Sequence, residues 1–403
     1  MKTLTPLAFT SVQTRLNGEE ELALLKHLRE AGTYSVGGPE GAAFEKEFAA
    51  YIGSPEAVSL NSCSSALELV AEFTNLKPGD EVIMPAHTFV ATAVPFARHG
   101  VSVKWADIDP DTWVISADSI AKLITAKTKL IVVVHLYGMP ADMDAIMAVA
   151  RQHGVPVVED CAQAPGARYK GNRVGSMGDF GCFSFHSQKN ITTLGEGGML
   201  TLRDSKLALA ARRIRWMGNW PFEGERAKYW KPAMANLVVP MAGHWPRNYC
   251  MGEPNCVVGR LLVKRLDQVN AQRQRQANRL IAALRKFPEL KFQKVPEGYE
   301  HVYHLMPSNY DGSKYGKKND DLIELLYSKY NLKCIVQYWP LYRAELFQEF
   351  GLGKANAPIT DNHFDNMVSF PWWSDMPDAL IDDMASRIAS ALSELRGEKV
   401  NSD

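Results

Sequence analysis

The sequence predicts an α/β protein, with a large unit on a mostly parallel, mixed sheet covered by helices and a smaller α+β unit at its C-terminal end. Short β-branched runs alternate with helical patterns from residue 57 to about 205, which is how βαβ units read in a sequence. The 403 residues are enough for two or three domains and at least one large core. At 46% hydrophobic and 22% charged residues, the composition excludes a disordered or fibrous chain.

A polar cluster, LNSCSS, opens a helical pattern over 64–75, where Ala66, Leu67, Val70 and Phe73 recur at helical spacing. Strand runs follow at 81–85, 101–108, 129–138, 155–160, 182–185 and 198–202, each bounded by Gly, Pro or charged turns. Helices fit between them at 88–98, 117–124 and 141–153. The stretch 219–255, rich in Trp, Pro, Gly and Asn, breaks every period and reads as a long irregular segment, a length that is usually functional. A helical pattern then runs from about 256 to 286, and weaker strand and helix signals continue to the end. We therefore divide the chain into a large unit, 1–255, and a linking helix with a smaller unit, 256–403.

Forty-five basic and forty-five acidic residues balance, with no block of like charge, so neither nucleic acid nor an anionic membrane is an expected partner. The opening MKTLTPLAFTSVQTR lacks the pattern of a cleaved leader, and the strongest apolar run, Leu130–Val134, is far shorter than a membrane span; the expected location is the cytoplasm. Six scattered cysteines without a C-x-x-C pair suggest reduced thiols, and no metal site is expected.

In parallel sheets ligands sit at the carboxyl ends of the strands, so the residues just after each strand are the ones that matter. Lys189 follows the strand end at Ser184 and precedes a Gly-Glu-Gly-Gly turn. A lysine there is either an amine able to capture an aldehyde or a solvated loop charge. Asp160 ends the apolar run Val155–Val158; it either satisfies a cation such as a protonated pyridine nitrogen or caps the next helix. The amides from Cys63 to Ser65, with the Ser64 and Ser65 hydroxyls, form an anion seat of the kind helix N-termini provide, or a plain N-cap. Phe89 either stacks on a flat ring or fills the core. Taken jointly, a phosphate seat, a stacking ring, a carboxylate and an amine are the four contacts that pyridoxal 5′-phosphate needs.

The ordered segments SCSSALEL, PAHTFVATA, DIDPDTW, VHLYGMPADMDAI, VEDCAQAPGARYKG and FSFHSQKNITTLGEGG resemble the DegT/DnrJ/EryC1/StrS sugar aminotransferases, members of the aspartate aminotransferase fold, type I of the pyridoxal phosphate enzymes. The resemblance runs from GGPEGAAFEKEFAAYIG to FPWWSDMPDALIDD. It implies that Lys189 forms the Schiff base with pyridoxal 5′-phosphate and that Asp160 pairs with the pyridinium nitrogen. It implies further that Gln163 lies against the ring or its phenolic oxygen, that Phe89 stacks on it, and that Ser184 with the Cys63–Ser64 turn holds the phosphate. RNYCMGE resembles the segment whose Asn reaches the phosphate of a neighbouring subunit, which places Asn248 across a homodimer interface with shared sites. Cys250 and Gly252 depart from that pattern, as Cys63 does where Gly is frequent, and Gln337 stands where His is common. His304, Tyr338 and Tyr342 resemble small-domain residues that face the substrate.

The function implied is transfer of an amino group, from L-glutamate by analogy, to the keto group of a sugar, nucleotide-linked or not, or of a related polyol, in two successive half-reactions. A cyclitol or aminohydroxybenzoate-type acceptor is the alternative within transaminases. Dehydratase relatives replace the lysine with His, so Lys189 argues against that chemistry, and Lys189, Asp160 and Ser184 together argue against a non-catalytic regulator.

Overall fold

In the computed structural model, residues 4–10, 14–30, 38–219, 241 and 243–398 are described. The central sheet has seven strands: β1 (Glu56–Leu60), β2 (Glu81–Pro85), β3 (Ser102–Ala106), β4 (Thr128–Val134), β5 (Val157–Asp160), β6 (Phe180–Ser184) and β7 (Gly198–Leu202). Their order is β1-β7-β6-β5-β4-β2-β3. The run from β6 to β3 is parallel, and β7 lies antiparallel to both β6 and β1. The chain leaves β2 for β3 on one side and returns to β4 on the other, so a crevice opens at the carboxyl ends of β2 and β4. The type I fold implied by the motifs is the one observed.

Both faces of the sheet are covered, which is why its strands read as continuous apolar runs rather than alternating ones. In β4, Leu130 and Val132 enter the core on one face while Ile131 and Val133 enter that on the other. β2 divides likewise, with Val82 and Met84 on the first face and Ile83 on the second. A third cluster, built on Phe44, Phe48, Phe183 and Phe185, packs the helix Pro39–Ile52 and the helix Glu253–Lys264 against the β6 and β7 end. Buried Glu253 ties these helices together: its carboxylate accepts the Gly38, Glu40 and Gly41 N–H groups at 2.9–3.2 Å. Those amides would otherwise be the unsatisfied first turn of Pro39–Ile52.

The sequence pattern at 256–286 is two helices, Glu253–Lys264 and Leu266–Leu284, broken at Arg265, where φ is −103° and ψ 5°. The first packs on the large core, and the second reaches a separate core from Ala277 onward, so the long helix bridges the two units. This second core surrounds the sheet formed by Met306–Tyr310 with Leu290–Lys291 and Met367–Phe370, and is closed by the helices Asn319–Ser328 and Asp378–Leu395. Leu7 joins it and pairs with Leu332.

Two expected elements take other forms, and one strand is additional. The 88–98 helix is a 3-10 turn, Val90–Thr92, and one helical turn, Val94–Ala97, with Pro95 limiting its growth. The 129–138 run leaves the sheet at Val134, and Leu136–Gly138 forms a turn with Tyr137 at φ 61°. β1 was not anticipated; it is a five-residue edge strand paired through β7. Among the described residues, no helix is long and apolar enough to cross a membrane.

Candidate active site

The carboxyl ends of β2, β4, β5 and β6 converge on a cavity of about 860 Å³. Register places Val134 beside Asp160 and Asp160 beside Cys182, so Asp160 and Ser184 end adjacent strands at one edge of the sheet. Asp160, Ser184, Lys189, Cys63, Ser64, Phe89, Gln163 and Tyr338 all line the cavity. The strand-end logic of the sequence thus brings these eight together.

Asp160 is 4% exposed. Its Oδ1 accepts the Ala162 N–H at 3.0 Å and its Oδ2 accepts the Thr92 hydroxyl at 2.8 Å. Because the Thr92 proton goes to Asp160, Thr88 must donate across the 2.9 Å contact between the two hydroxyls. Burial pushes the Asp160 carboxyl above its ordinary range, against the pull of the Ala162 N–H, Thr92 and Lys189. Behind it, Glu159 lies fully buried, accepting the Gly175, Met177 and Gly178 N–H groups and facing His135 Nε2 at 3.0 Å. His135 Nδ1 accepts the Ala141 N–H, which leaves Nε2 to donate to Glu159. Burial acts to raise the Glu159 carboxyl, but His135 and the backbone donors hold it low and ionised. His135, Glu159 and Cys161 lie within 4.8 Å of one another, yet this network already occupies the His and Glu atoms that would ligate an ion.

Lys189 sits in the loop between β6 and β7, its backbone N–H bonded to the His186 carbonyl. Among the described residues, its ammonium has neither a hydrogen-bond nor an ion-pair partner. Burial lowers its proton affinity, opposed by Asp160 and Cys63. The next residue anchors the loop: Asn190 Oδ1 faces His304 Nδ1 at 3.0 Å and Asn190 Nδ2 donates to Asn270 Oδ1 and the Val302 carbonyl.

At the other end of the cavity, the helix Cys63–Phe73 begins with Ser62 as N-cap, its hydroxyl accepting the Ser65 N–H at 3.1 Å. Gly198, the first residue of β7, abuts this turn so closely that a Cβ there would lie 2.3–2.6 Å from the Ser62 carbonyl and the Cys63 nitrogen. The helix start is therefore pressed against the strand end of Ser184, to which Gly198 pairs. Phe89 is 50% exposed at the cavity wall and meets the Tyr338 ring edge-on at 5.8 Å.

A buried carboxylate hydrogen-bonded only by neutral donors, an amine without a hydrogen-bond or ion-pair partner among the described residues, a helix N-terminus and a half-exposed ring meet in one cavity. Pyridoxal 5′-phosphate fits this set: Asp160 for the ring nitrogen, Lys189 for the aldehyde carbon, and Cys63, Ser64 and Ser184 for the phosphate.

Three of the residues singled out in the sequence lie elsewhere. His304 is buried behind Lys189 on Asn190 rather than facing the cavity. Tyr342 is buried with its hydroxyl on Asp361 at 2.6 Å. Asn248 pairs with Trp216 in an isolated bridge and does not line this chain's cavity. Residues 220–240 and 242 of the aromatic-rich stretch lie outside the described residues. Thr92, Thr88 and Tyr137 are the site residues that sequence reasoning missed; the first two stand inside the PAHTFVATA motif itself.

Residues 16–389 match the DegT/DnrJ/EryC1/StrS aminotransferase family. The spore coat polysaccharide biosynthesis protein SpsC of Bacillus subtilis is 34% identical over 387 residues, 93% of this chain and 94% of its own length. UDP-N-acetyl-3-dehydro-alpha-D-glucosamine 3-aminotransferase of Acidithiobacillus ferrooxidans is 31% identical over 88% of this chain and 89% of its own. Among solved structures, an aminotransferase from Psychrobacter cryohalolentis superposes with a TM-score of 0.86 at 28% identity, covering 96% of this chain and all of the other.

Proposed function

The chain belongs to the DegT/DnrJ/EryC1/StrS aminotransferase family, and from that premise we propose that it transfers an amino group from L-glutamate to the keto group of a nucleotide-linked sugar. It is an aminotransferase, and its cofactor is pyridoxal 5′-phosphate. The observation that carries the reading is Lys189, an amine without a partner beside buried Asp160 in a cavity large enough for cofactor and sugar together. The similar UDP-sugar 3-aminotransferase supports a nucleotide-linked acceptor.

When bound, the cofactor supplies an aldehyde carbon that takes the amino group and a ring that accepts electrons from the substrate Cα. Asp160, ionised once a cation faces it, holds the ring nitrogen protonated. Lys189 Nζ, with its proton affinity already lowered by burial, would serve as the base that removes the Cα proton and as the acid that delivers it to the carbon that takes the amino group. The N–H groups that open Cys63–Phe73, with Ser64 and Ser184, anchor the phosphate, so the reacting carbon stays within reach of Lys189. Donor and acceptor use the same cavity in turn, which makes the kinetics ping-pong. Six free cysteines accord with a cytoplasmic setting.

L-glutamate alone should abolish the visible absorbance of the holoenzyme in a single turnover, and a keto-sugar nucleotide should restore it. Absorbance unmoved by glutamate and by other amino acids would remove the transaminase half-reaction; restoration by free keto-sugars or cyclitol ketones alone would remove the nucleotide.

The functional unit we propose is a homodimer in which Asn248 of each protomer completes the site of the other. Asn248 does not line its own cavity, and its neighbours Met217 and Trp245 are 49% and 77% exposed, as interface residues of an isolated protomer would be. Asn248→Ala should weaken cofactor retention by about 1.5–3 kcal/mol, the value of one hydrogen bond to a charged group. Co-refolded Asn248→Ala and Lys189→Ala chains should exceed the mean activity of the two parents, because each mixed dimer regains one unmutated site. Activity equal to that mean, or a fully active monomer in sedimentation, would sink the shared site.

A further inference from the structure

Tyr137 is fully buried at the end of β4 and does not line the cavity, yet it bonds to two residues that do, Gln163 and Gln337, the latter next to Tyr338. Its backbone N–H donates to Gln163 Oε1 at 2.8 Å. Of its hydroxyl's three contacts, the Gln337 carbonyl at 2.6 Å can only accept and so takes the proton, in preference to the distant Met367 Sδ at 3.8 Å. With that proton committed, the 2.6 Å contact to His87 Nε2 requires the histidine to donate. The φ of 61° at Tyr137 turns the backbone N–H toward Gln163 while the ring runs on to the 337–338 peptide.

The consequence is a fixed polarity. Gln163 Oε1 is consumed as an acceptor, so its amide is not free to flip, and Nε2 is the end that meets Tyr338 Oη at 3.2 Å. Tyr338 Oη accepts that bond, and among the described residues its own proton has no acceptor. The second Nε2 hydrogen is likewise uncommitted. Burial and Asp160 both oppose ionisation of Tyr338, so the hydroxyl remains a donor. The Tyr338 ring is held in place between Phe89, edge-on, and Tyr137, parallel at 6.4 Å and 11°.

We infer that Tyr137 is a positioning residue that sets Gln163 and Tyr338 as a pair of hydrogen-bond donors, making this wall of the cavity a seat for a ligand oxygen. The oxygen belongs either to the ring hydroxyl of the cofactor or to a carbonyl or hydroxyl of the substrate. The inference rests on the cavity being the aminotransferase site and is independent of which sugar it takes.

The test is a double-mutant cycle on the holoenzyme with Tyr137→Phe, Tyr338→Phe and the double variant. Tyr137→Phe keeps the backbone bond to Gln163 and removes the hydroxyl that holds the 337–338 peptide and accepts from His87 Nε2, so its effect on the cavity is read through Tyr338 and the lost His87 contact is read separately as a change in melting temperature. Each single variant should lose about 5–10-fold, the effect of one hydrogen bond, and the double should lose no more than the worse single. Two readouts identify the oxygen. Weaker binding of pyridoxal 5′-phosphate to the apoenzyme, by fluorescence titration, with a displaced visible band marks the cofactor's hydroxyl. Unchanged cofactor binding and spectrum with a raised KM at constant kcat marks the substrate. Effects of the two singles that multiply in the double, or a Tyr338→Phe enzyme unchanged in both readouts, would overturn the assignment. Tyr338 is only half-buried, so Tyr338→Phe decides the donor role even if Tyr137→Phe is recovered unfolded.

Discussion

Lys189→Ala loses essentially all turnover while keeping its fold and its melting temperature. Removing a positioned general base alone costs about 10²–10⁴-fold, and in the proposed mechanism the same amine is also the covalent anchor of the cofactor, so the loss should exceed that range. Stability should not follow activity, because the Lys189 ammonium has no hydrogen-bond or ion-pair partner among the described residues and burial disfavours its charge. Deleting a desolvated cation from a functional cavity is neutral or stabilising, the usual trade between activity and stability at such sites. Borohydride treatment of the parent should fix the cofactor on the peptide containing Lys189, and the variant should carry no label. A label on another lysine, or substantial turnover by the variant, would move the site elsewhere.

Why Lys189 and Asp160 were legible in the sequence is itself physical. Their strands are covered on both faces, so they read as apolar runs whose ends mark the carboxyl edge of the sheet, where ligands bind. Asp160 closes one run after Glu159, Lys189 lies five residues past the end of another at Ser184, and the resemblance of the surrounding motifs singled these two out. Thr92 was not legible, because the apolar spacing of 88–98 reads as one helix, whereas Pro95 and the turn Val90–Thr92 direct Thr92 to Asp160. Tyr137 was hidden for a related reason: its segment continues the β-branched run of β4, and a positive φ at a tyrosine leaves no trace in composition. In the second unit, similarity of segments located the loops but not the side chains that face the cavity. Tyr338 faces it, whereas His304 turns inward to hold the Lys189 loop through Asn190 and Tyr342 turns to Asp361.

Asp160→Asn should lose far more rate than cofactor affinity. The amide can be housed without rebuilding the site: Oδ1 keeps the Ala162 N–H, and Nδ2 turns to Thr92, whose hydroxyl rotates from donor to acceptor. No buried charge is left unpaired by the exchange, since burial already penalises the ionised carboxyl when no cation faces it, and stability should hold or rise. What the amide cannot do is keep a ring nitrogen protonated, and without that cation the ring no longer takes up electrons from the substrate Cα. Loss of one partner from a buried ion pair is worth about 3–5 kcal/mol, which as a barrier is about 10²–10⁴ in rate. Cofactor affinity, which the proposed site also assigns to the helix start at Cys63, to Ser184 and to a covalent bond with Lys189, should fall by no more than about tenfold, the effect of one modest hydrogen bond. Stopped-flow absorbance of the glutamate half-reaction gives the first number and titration of the apoenzyme gives the second. A half-reaction as fast as the parent's would take Asp160 out of the mechanism, and a loss confined to cofactor binding would leave it only a structural contact.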